Sequence, residues 1–368
     1  MRRSLVSTPI INSLAAVPLA YSLIRSLLFR LDAERAHDWA NAGLRLAQRS
    51  GWLRRRWQRR WAVEDPRLAQ KLLGLDFANP VGVAAGFDKN ARLVPALAAF
   101  GFGAVEVGTV TPRPQTGNSK PRLWRHTDAR SLQNSLGFNG AGMEAVAADL
   151  TALAPYPLPI GVNLGKNRDT EQSRALADYE LLLRRFSLLA NYFVINISSP
   201  NTPRLRELQQ PDFIAAVLAT AAELTAAPVL IKIAPDMPLT AAVELALAAV
   251  AAGAAGIIAT NTTTDYSLLP GAEPRGGLSG AVLSARSYAI TRALGAALAD
   301  RAVLVSVGGI ASAAEAYRRL RAGAHLVQLY SGLIYAGPSV PGQINRGLLA
   351  LLERDGLDHI TDAIGADR

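Results

Sequence analysis

Eight short apolar runs, each ending in a polar or glycine-rich step, constrain this chain more than any other feature. Residues 81–85 run into Gly86-Phe87-Asp88-Lys89, 104–107 into Gly108-Thr109, 159–162 into Asn163, and 192–195 into Asn196-Ile197-Ser198-Ser199. Residues 229–231 run into Lys232, 256–259 into Thr260-Asn261-Thr262, 302–307 into Gly308-Gly309, and 326–329 into Tyr330-Ser331. Stretches of helical period, rich in Ala, Leu and Arg, separate most of them. Buried parallel strands read as continuous apolar runs because helices cover both faces of the sheet. Eight such units predict an α/β fold, a (β/α)8 TIM barrel, whose chemistry sits at the C-terminal ends of the strands. The scattered polar residues then become one ring around one site.

A barrel takes about 250 residues, so the 368 residues of this chain leave room for an extra segment. The expected division is an N-terminal extension over 1–62, the barrel over 63–355 and a C-terminal tail over 356–368. The chain has no cysteine. That excludes disulfides, thiolate metal sites, iron–sulfur clusters and a thiol base. None of its four histidines (His37, His126, His325 and His359) lies at a strand end, which argues against a histidine-built metal centre.

Charge is unevenly placed. Residues 1–62 hold twelve arginines and three acids (Asp32, Glu34 and Asp38), a net of +9 against +10 for the whole chain. Trp39, Trp52, Trp57 and Trp61 lie there as well. Basic, aromatic segments suit nucleic acid or an anionic membrane, and the neighbouring apolar pattern decides between them. Residues 4–24 are uncharged but carry Pro9 and Pro18, which suits a membrane-associated leader better than a span. From Tyr21 onward, Leu23, Ile24, Leu27, Leu28 and Leu31 share one helical face about 160° wide. Asp32 is a natural N-cap for a second helix, on which Ala36, Ala40, Gly43, Leu44 and Ala47 share a face. A helical hairpin with an apolar side results. It would either pack on the barrel or lie on a membrane. The Trp and Arg belt favours the membrane interface. Burying the five Leu and Ile side chains would give about 7–15 kcal/mol gross, enough for peripheral attachment through residues 21–62. No nucleic-acid partner is expected.

The strand ends supply two lysines (Lys89 and Lys232) and the neutral groups of Asn163, Asn196, Thr260 and Asn261. Gly280, Gly308, Gly309 and Tyr330-Ser331 offer backbone N–H groups where this fold commonly holds a phosphate. Asp88 is the main acid of the ring. A glycosidase needs two carboxylates and a metal hydrolase needs His or Asp ligands; neither set is present. A lone strand-end Asn usually satisfies a turn, and a lone buried Lys is rare unless paired. As a set, however, they suit a flat heterocycle with alternating N–H and C=O edges and a lysine beside an anionic reduced form. The long excursions over 111–142, 199–211 and 262–281 would cover that site.

The motifs then carry a resemblance. They include Ala84-Ala85-Gly86-Phe87-Asp88-Lys89, Glu106-Val107-Gly108-Thr109-Val110-Thr111-Pro112 and Gly161-Val162-Asn163-Leu164-Gly165-Lys166-Asn167. Further ones are Asn196-Ile197-Ser198-Ser199-Pro200-Asn201-Thr202-Pro203, Lys232-Ile233-Ala234-Pro235-Asp236, Gly276-Gly277-Leu278-Ser279-Gly280 and Val307-Gly308-Gly309-Ile310. In these runs the chain resembles the membrane-associated, quinone-dependent (class 2) dihydroorotate dehydrogenases.

The resemblance implies oxidation of (S)-dihydroorotate to orotate in de novo pyrimidine biosynthesis, with FMN as hydride acceptor and a membrane quinone as final acceptor. It implies Ser199 as the catalytic base. Lys89, Asn134, Ser135, Leu136, Gly137, Phe138, Asn196, Asn201, Asn261 and Thr262 would bind substrate. Ala85, Gly86, Phe87, Asp88, Lys89, Thr109, Asn163, Asn196, Lys232, Thr260, Gly280, Gly309, Tyr330 and Ser331 would bind FMN. His37, Arg125 and Tyr330 would border a quinone tunnel, and a monomer on the cytoplasmic face of the inner membrane is expected. Removing residues 1–62 would then spare the dihydroorotate step and impair the quinone step. One departure stands out: the substrate loop reads Asn134-Ser135-Leu136-Gly137-Phe138, where the family usually has Arg second.

Three other readings remain open on the residues alone. A dihydrouridine synthase would need a cysteine. A Schiff-base barrel using Lys89 or Lys232 would be colourless. A silent membrane scaffold would not turn over dihydroorotate.

Overall fold

A computed structural model describes residues 19–368, with side chains from Tyr21 onward; the leader reading of residues 4–18 lies outside the described residues. Eight parallel strands close into a barrel: β1 Val81–Val83, β2 Ala104–Val110, β3 Ile160–Leu164, β4 Tyr192–Asn196, β5 Val229–Ile233, β6 Gly256–Ala259, β7 Val303–Val307 and β8 Leu326–Leu329. Each pairs with its neighbours in chain order, and β8 returns to β1. The expected barrel is observed, and its strands coincide with the eight apolar runs.

Side chains alternate across a strand, and here the alternation builds two cores. In β4, Tyr192 and Val194 join a central cluster with Leu230, Ile258 and Val305, while Phe193 and Ile195 join the layer beneath the helices. The same parity sends Asn196 and, in β5, Lys232 inward above the apolar floor. Asn196 and Lys232 are direct partners in the register. An antiparallel hairpin, Gln70–Leu72 with Leu75–Phe77, lies ahead of the first barrel strand, and its buried Phe77 joins the central cluster. Residues 356–368 include a helical turn, Ile360–Ala363, whose two end residues are fully buried in the outer layer.

Two of the expected covering loops are a sheet. Leu123–His126, Ser131–Asn134 and Gly277–Gly280 pair antiparallel, with Asn134 opposite both Leu123 and Gly277. This sheet brings the 111–142 and 262–281 excursions together.

The N-terminal segment forms three helices rather than a hairpin: α1 Leu19–Leu28, α2 Ala33–Ala47 and α3 Gly51–Trp61. Asp32 caps α2 as expected, accepting from the Glu34 and Arg35 amides at 3.0 Å. The apolar stripe of α1 faces away from the protein: Leu23, Ile24 and Leu27 are exposed. The other face holds the helix in place. Tyr21 Oη donates to the Ile334 carbonyl and Arg25 to that of Tyr335, each at 2.6 Å. The four tryptophans divide. Trp57 and Trp61 stack on each other and both meet Phe100 at 5.3 Å between ring centroids, whereas Trp39 and Trp52 are exposed. Half of the tryptophans read from the sequence as an interfacial belt are therefore packed inward, because residues 57 and 61 share the face of α3 that meets the barrel.

Candidate active site

A cavity of roughly 1090 Å³, measured out to its open mouth, sits at the C-terminal ends of the strands. It brings together Ala85, Gly86, Lys89, Thr109, Asn134, Leu136, Gly137, Phe138, Asn196, Ser199, Asn201, Lys232, Thr260, Asn261, Thr262, Gly280, Gly309, Tyr330 and Ser331. These residues come from seven of the eight strand ends and from the covering sheet.

Four expected residues do not line it. Asp88 turns into the protein and accepts from the backbone amides of Arg92 at 2.8 Å and Leu93 at 2.7 Å, bracing the following helix. Asn163 lies below the floor, accepting from Thr109 Oγ1 at 2.5 Å and donating to Glu106 at 2.6 Å. Phe87 stands behind the wall, edge-on to Tyr330 at 5.8 Å and to His37 at 5.7 Å. Ser135 faces a second groove outside.

The acid of the ring is Glu106, which sequence reasoning missed. It is fully buried on β2 and accepts from Lys232 at 3.2 Å, Asn163 at 2.6 Å and Gln328 at 2.7 Å. Lys232 is thus a paired buried lysine, in keeping with the cost of leaving such a charge alone. Lys89 is not paired: among the described residues it has no hydrogen bond or ion pair. Burial pushes its ammonium down to about 8. A cation held in a cavity without a partner marks a place for an anion.

Around Lys89 the amides interlock. Asn201 Nδ2 donates to Asn134 Oδ1 at 2.8 Å, and Asn261 Nδ2 donates to Ser198 Oγ at 3.0 Å. The Asn201 backbone donates to Ser199 Oγ at 3.2 Å. Asn201 Oδ1 and Gln328 Oε1 are buried without a protein partner, and both residues line the cavity. Such orphaned acceptors suit a ligand with N–H edges. Thr202 Oγ1, on the same loop as Ser199, is likewise buried without a protein partner.

At the opposite wall, Gly309 has φ +75°, and a Cβ there would lie 2.5 Å from Ser284, so only glycine permits this turn. Ser331 Oγ lies 3.0 Å from Ser279 Oγ. Behind them the buried Arg319 guanidinium donates to the Gly308 carbonyl at 3.0 Å and the Ser284 carbonyl at 2.8 Å, fixing both loops.

On the N-terminal side, Arg125 grips the end of α1. It donates to the carbonyls of Leu28, Phe29 and Leu31, and its guanidinium lies 4.6 Å from the Phe29 ring centroid. His37 Nε2 accepts from Asn41 Nδ2 at 3.0 Å, and burial with Lys89 nearby holds its imidazole down at about 4. Burial pushes the Tyr330 phenol up to about 12. Glu34 of α2 reaches the substrate loop through Arg122 (Nη2 to Oε1, 2.7 Å) in a buried ion pair. Arg122 in turn donates to the carbonyls of Thr116 at 2.6 Å and Asn118 at 2.7 Å. The N-terminal helices therefore bear on the loop around Thr116 and Asn118 that adjoins the cavity.

Among the described residues no cluster of His, Cys, Asp or Glu is arranged to hold a metal. A closed barrel with a cationic, amide-lined cavity at its strand ends defines a (β/α)8 enzyme acting on a small, flat, anionic molecule. A family model described as dihydroorotate dehydrogenase matches residues 67–352. The dihydroorotate dehydrogenase (quinone) of a Nitratiruptor species is 51% identical over 347 residues, covering 94% of this chain and 99% of that protein. That of Anaeromyxobacter dehalogenans is 46% identical over 359 residues, covering 95% and 97%. The crystal structure of the Eimeria tenella dihydroorotate dehydrogenase in complex with ferulenol superposes with a TM-score of 0.83 at 35% identity, covering 91% of this chain and 96% of that one. The chain belongs to the dihydroorotate dehydrogenase family.

Proposed function

We propose that this enzyme oxidises (S)-dihydroorotate to orotate in pyrimidine biosynthesis and passes the electrons to a membrane quinone. The observation that carries the reading is the unpaired Lys89 facing Asn134, Asn201, Asn261 and Ser199 in one cavity. Lys89 neutralises the substrate carboxylate, and the asparagines read the alternating N–H and C=O edges of its ring. Asn196 and Thr262 complete the rim. Residues 136–138 close over it, with Ser135 supporting them from outside. Ser199 Oγ takes the C5 proton. A serine hydroxyl is not ionised at neutral pH, so it must release its own proton as it gains one. Thr202 Oγ1, buried on the same loop, makes no hydrogen bond to Ser199, so that proton leaves through water.

The donor set suits FMN: Gly280, Gly309 and Ser331 for the phosphate, and Lys232, Asn196, Thr109 and Thr260 for the ring. FMN, when bound, supplies the acceptor for the hydride leaving C6. Ala85 and Gly86 let backbone approach closely, and Tyr330 closes one wall. Phe87 acts from behind that wall, Asp88 by bracing the helix that follows Lys89, and Asn163 from below the floor.

Residues 21–62 provide the membrane and quinone side. No described helix is long and apolar enough to cross a membrane. Leu23, Ile24, Leu27, Trp39, Leu46 and Trp52 are exposed on the N-terminal helices, and Leu31 in the turn between the first two, beside a run of arginines that suits an anionic leaflet. This supports peripheral attachment to an anionic membrane surface, and the cytoplasmic face of the inner membrane is the proposed side. His37, Phe87 and Tyr330 form a line of aromatic contacts from α2 to the cavity, and Arg125 holds α1 at the border of the quinone path. A monomer is proposed as the working unit.

The deciding experiment is an anaerobic absorbance spectrum of the purified protein before and after dihydroorotate. A yellow protein whose flavin band bleaches is expected. A colourless protein, or a band that dihydroorotate leaves unchanged, refutes the reading.

A further inference from the structure

A second, open groove of roughly 940 Å³ adjoins the catalytic cavity and shares Asn201 with it as a wall. Its other walls include Asn118, Ser135, Tyr266 and two arginines, Arg168 and Arg275. Among the described residues, those two are the only charged side chains that line it.

The surrounding arginines are neutralised. Arg204 pairs with Glu207 at 2.9 Å, Arg206 with Asp236 at 2.6 Å and Arg286 with Asp265 at 2.6 Å. Arg168 and Arg275 have no ion pair to any described carboxylate. Both are nonetheless held in place. Arg168 Nη1 donates to Asn118 Oδ1 at 2.8 Å, which leaves its remaining donors free. Arg275 lies over the Trp124 ring, 5.0 Å from the centroid.

Asn118 links this groove to the inner site. Its Nδ2 donates to the Asn201 carbonyl at 3.1 Å and lies 3.4 Å from Ser135 Oγ. A Cβ on Gly137 would sit 2.6 Å from the Asn118 side chain. One residue therefore holds Arg168 and the substrate loop together.

From this arrangement we infer that the groove is a vestibule in which Arg168 and Arg275 draw in the carboxylate of the incoming substrate before Lys89 takes it inside. The inference rests on dihydroorotate being the substrate. Unpaired cations at the rim of a low-dielectric cleft raise the association rate of an anion, and salt abolishes the effect.

The test uses the FMN-loaded enzyme and orotate as probe, followed by the flavin absorbance shift in a stopped-flow instrument. In the unaltered enzyme, association slows as salt rises. The Arg168→Gln/Arg275→Gln variant associates about 3- to 10-fold more slowly at low salt. The difference collapses above about 0.5 M salt, where screening is complete within a few ångströms. The Arg168→Lys/Arg275→Lys variant keeps the fast rate, because it keeps the charge. A salt-independent rate in the unaltered enzyme overturns the vestibule, and so does a Gln variant slowed equally at low and high salt. If orotate causes no flavin shift in the unaltered enzyme, the substrate assignment itself fails.

Discussion

Lys232 Nζ lies 3.2 Å from Glu106 Oε1 at the cavity floor, and both side chains are almost wholly buried. Glu106 also accepts from Asn163 and Gln328, so one carboxylate orients three donors. Removing one member of a buried pair strands the other charge. Glu106→Ala is therefore expected to lower stability by about 3–5 kcal/mol, read by urea unfolding, and to release FMN during purification. Glu106→Gln keeps the shape and should lose less. Wild-type stability and flavin content in the alanine variant would mean that the pair does not organise the floor.

Ser199 is buried in the cavity wall with its Oγ turned toward the Asn201 amide. Its loss should not disturb the FMN residues on the opposite side. Ser199→Ala is expected to retain FMN and to slow flavin reduction by dihydroorotate at least about a hundredfold, the lower range for loss of a general base. Stopped-flow reduction under anaerobic conditions gives the answer, and an unchanged rate would remove Ser199 from the chemistry.

Lys89 provides the pH dependence. Burial depresses its ammonium to about 8 in the unliganded site. Below that pH the side chain carries the charge that a carboxylate needs; above it the charge is lost. Orotate affinity, titrated by the flavin band shift, should hold steady toward neutral pH and weaken above about pH 8, approaching tenfold per pH unit. Lys89→Met should bind weakly throughout and lack this alkaline limb. A wild-type affinity that stays flat to pH 10 would contradict the assignment.

The strand ends were legible because apolar runs stop where a barrel strand emerges, and that alone placed Lys89, Asn196, Ser199, Lys232 and Asn261 on one mouth. Glu106 and Gln328 stayed hidden because they lie within apolar runs rather than after them. Strand parity would have found both: Ala104 and Leu326 face the central cluster, so Glu106 and Gln328, two residues on, face it too. Asp88 sits at a strand end yet serves backbone amides four and five residues ahead, a local role that the residue type does not distinguish from a functional one. The covering sheet pairs Ser131–Asn134 with Gly277–Gly280 across more than a hundred residues, and its short polar strands lack the periodicity that marks a strand. The two faces of α3 were indistinguishable without Phe100.

The exposed stripe of α1 should be the membrane contact. Burying one leucine fully gives about 1.5–3 kcal/mol, so replacing two with acids should shift membrane partition by a hundredfold or more. Leu23→Glu/Leu27→Glu is expected to stay at the bottom of a flotation gradient with anionic vesicles, whereas the unaltered enzyme rises with them. Flotation equal to that of the unaltered enzyme would place the contact elsewhere.

Glu34 tests whether the N-terminal helices serve the quinone alone. Its carboxyl is subject to burial, which would raise it, but Arg122 and Lys120 hold it below the usual range, so it is ionised at neutral pH. Through Arg122 it tensions the carbonyls of Thr116 and Asn118, and Asn118 braces Asn201 and the turn at Gly137. Glu34→Ala leaves the Arg122 guanidinium buried without its counter-charge, a loss of about 3–5 kcal/mol if α2 stays in place. The helix can instead shift, which transfers the disturbance to the substrate loop. The KM for dihydroorotate is then expected to rise severalfold when flavin reduction is measured with an artificial acceptor that bypasses the quinone site. Complete removal of residues 1–62 should act in the same direction and more strongly, against the expectation that it spares this step. An unchanged KM in both proteins would show that α2 and the substrate loop work independently.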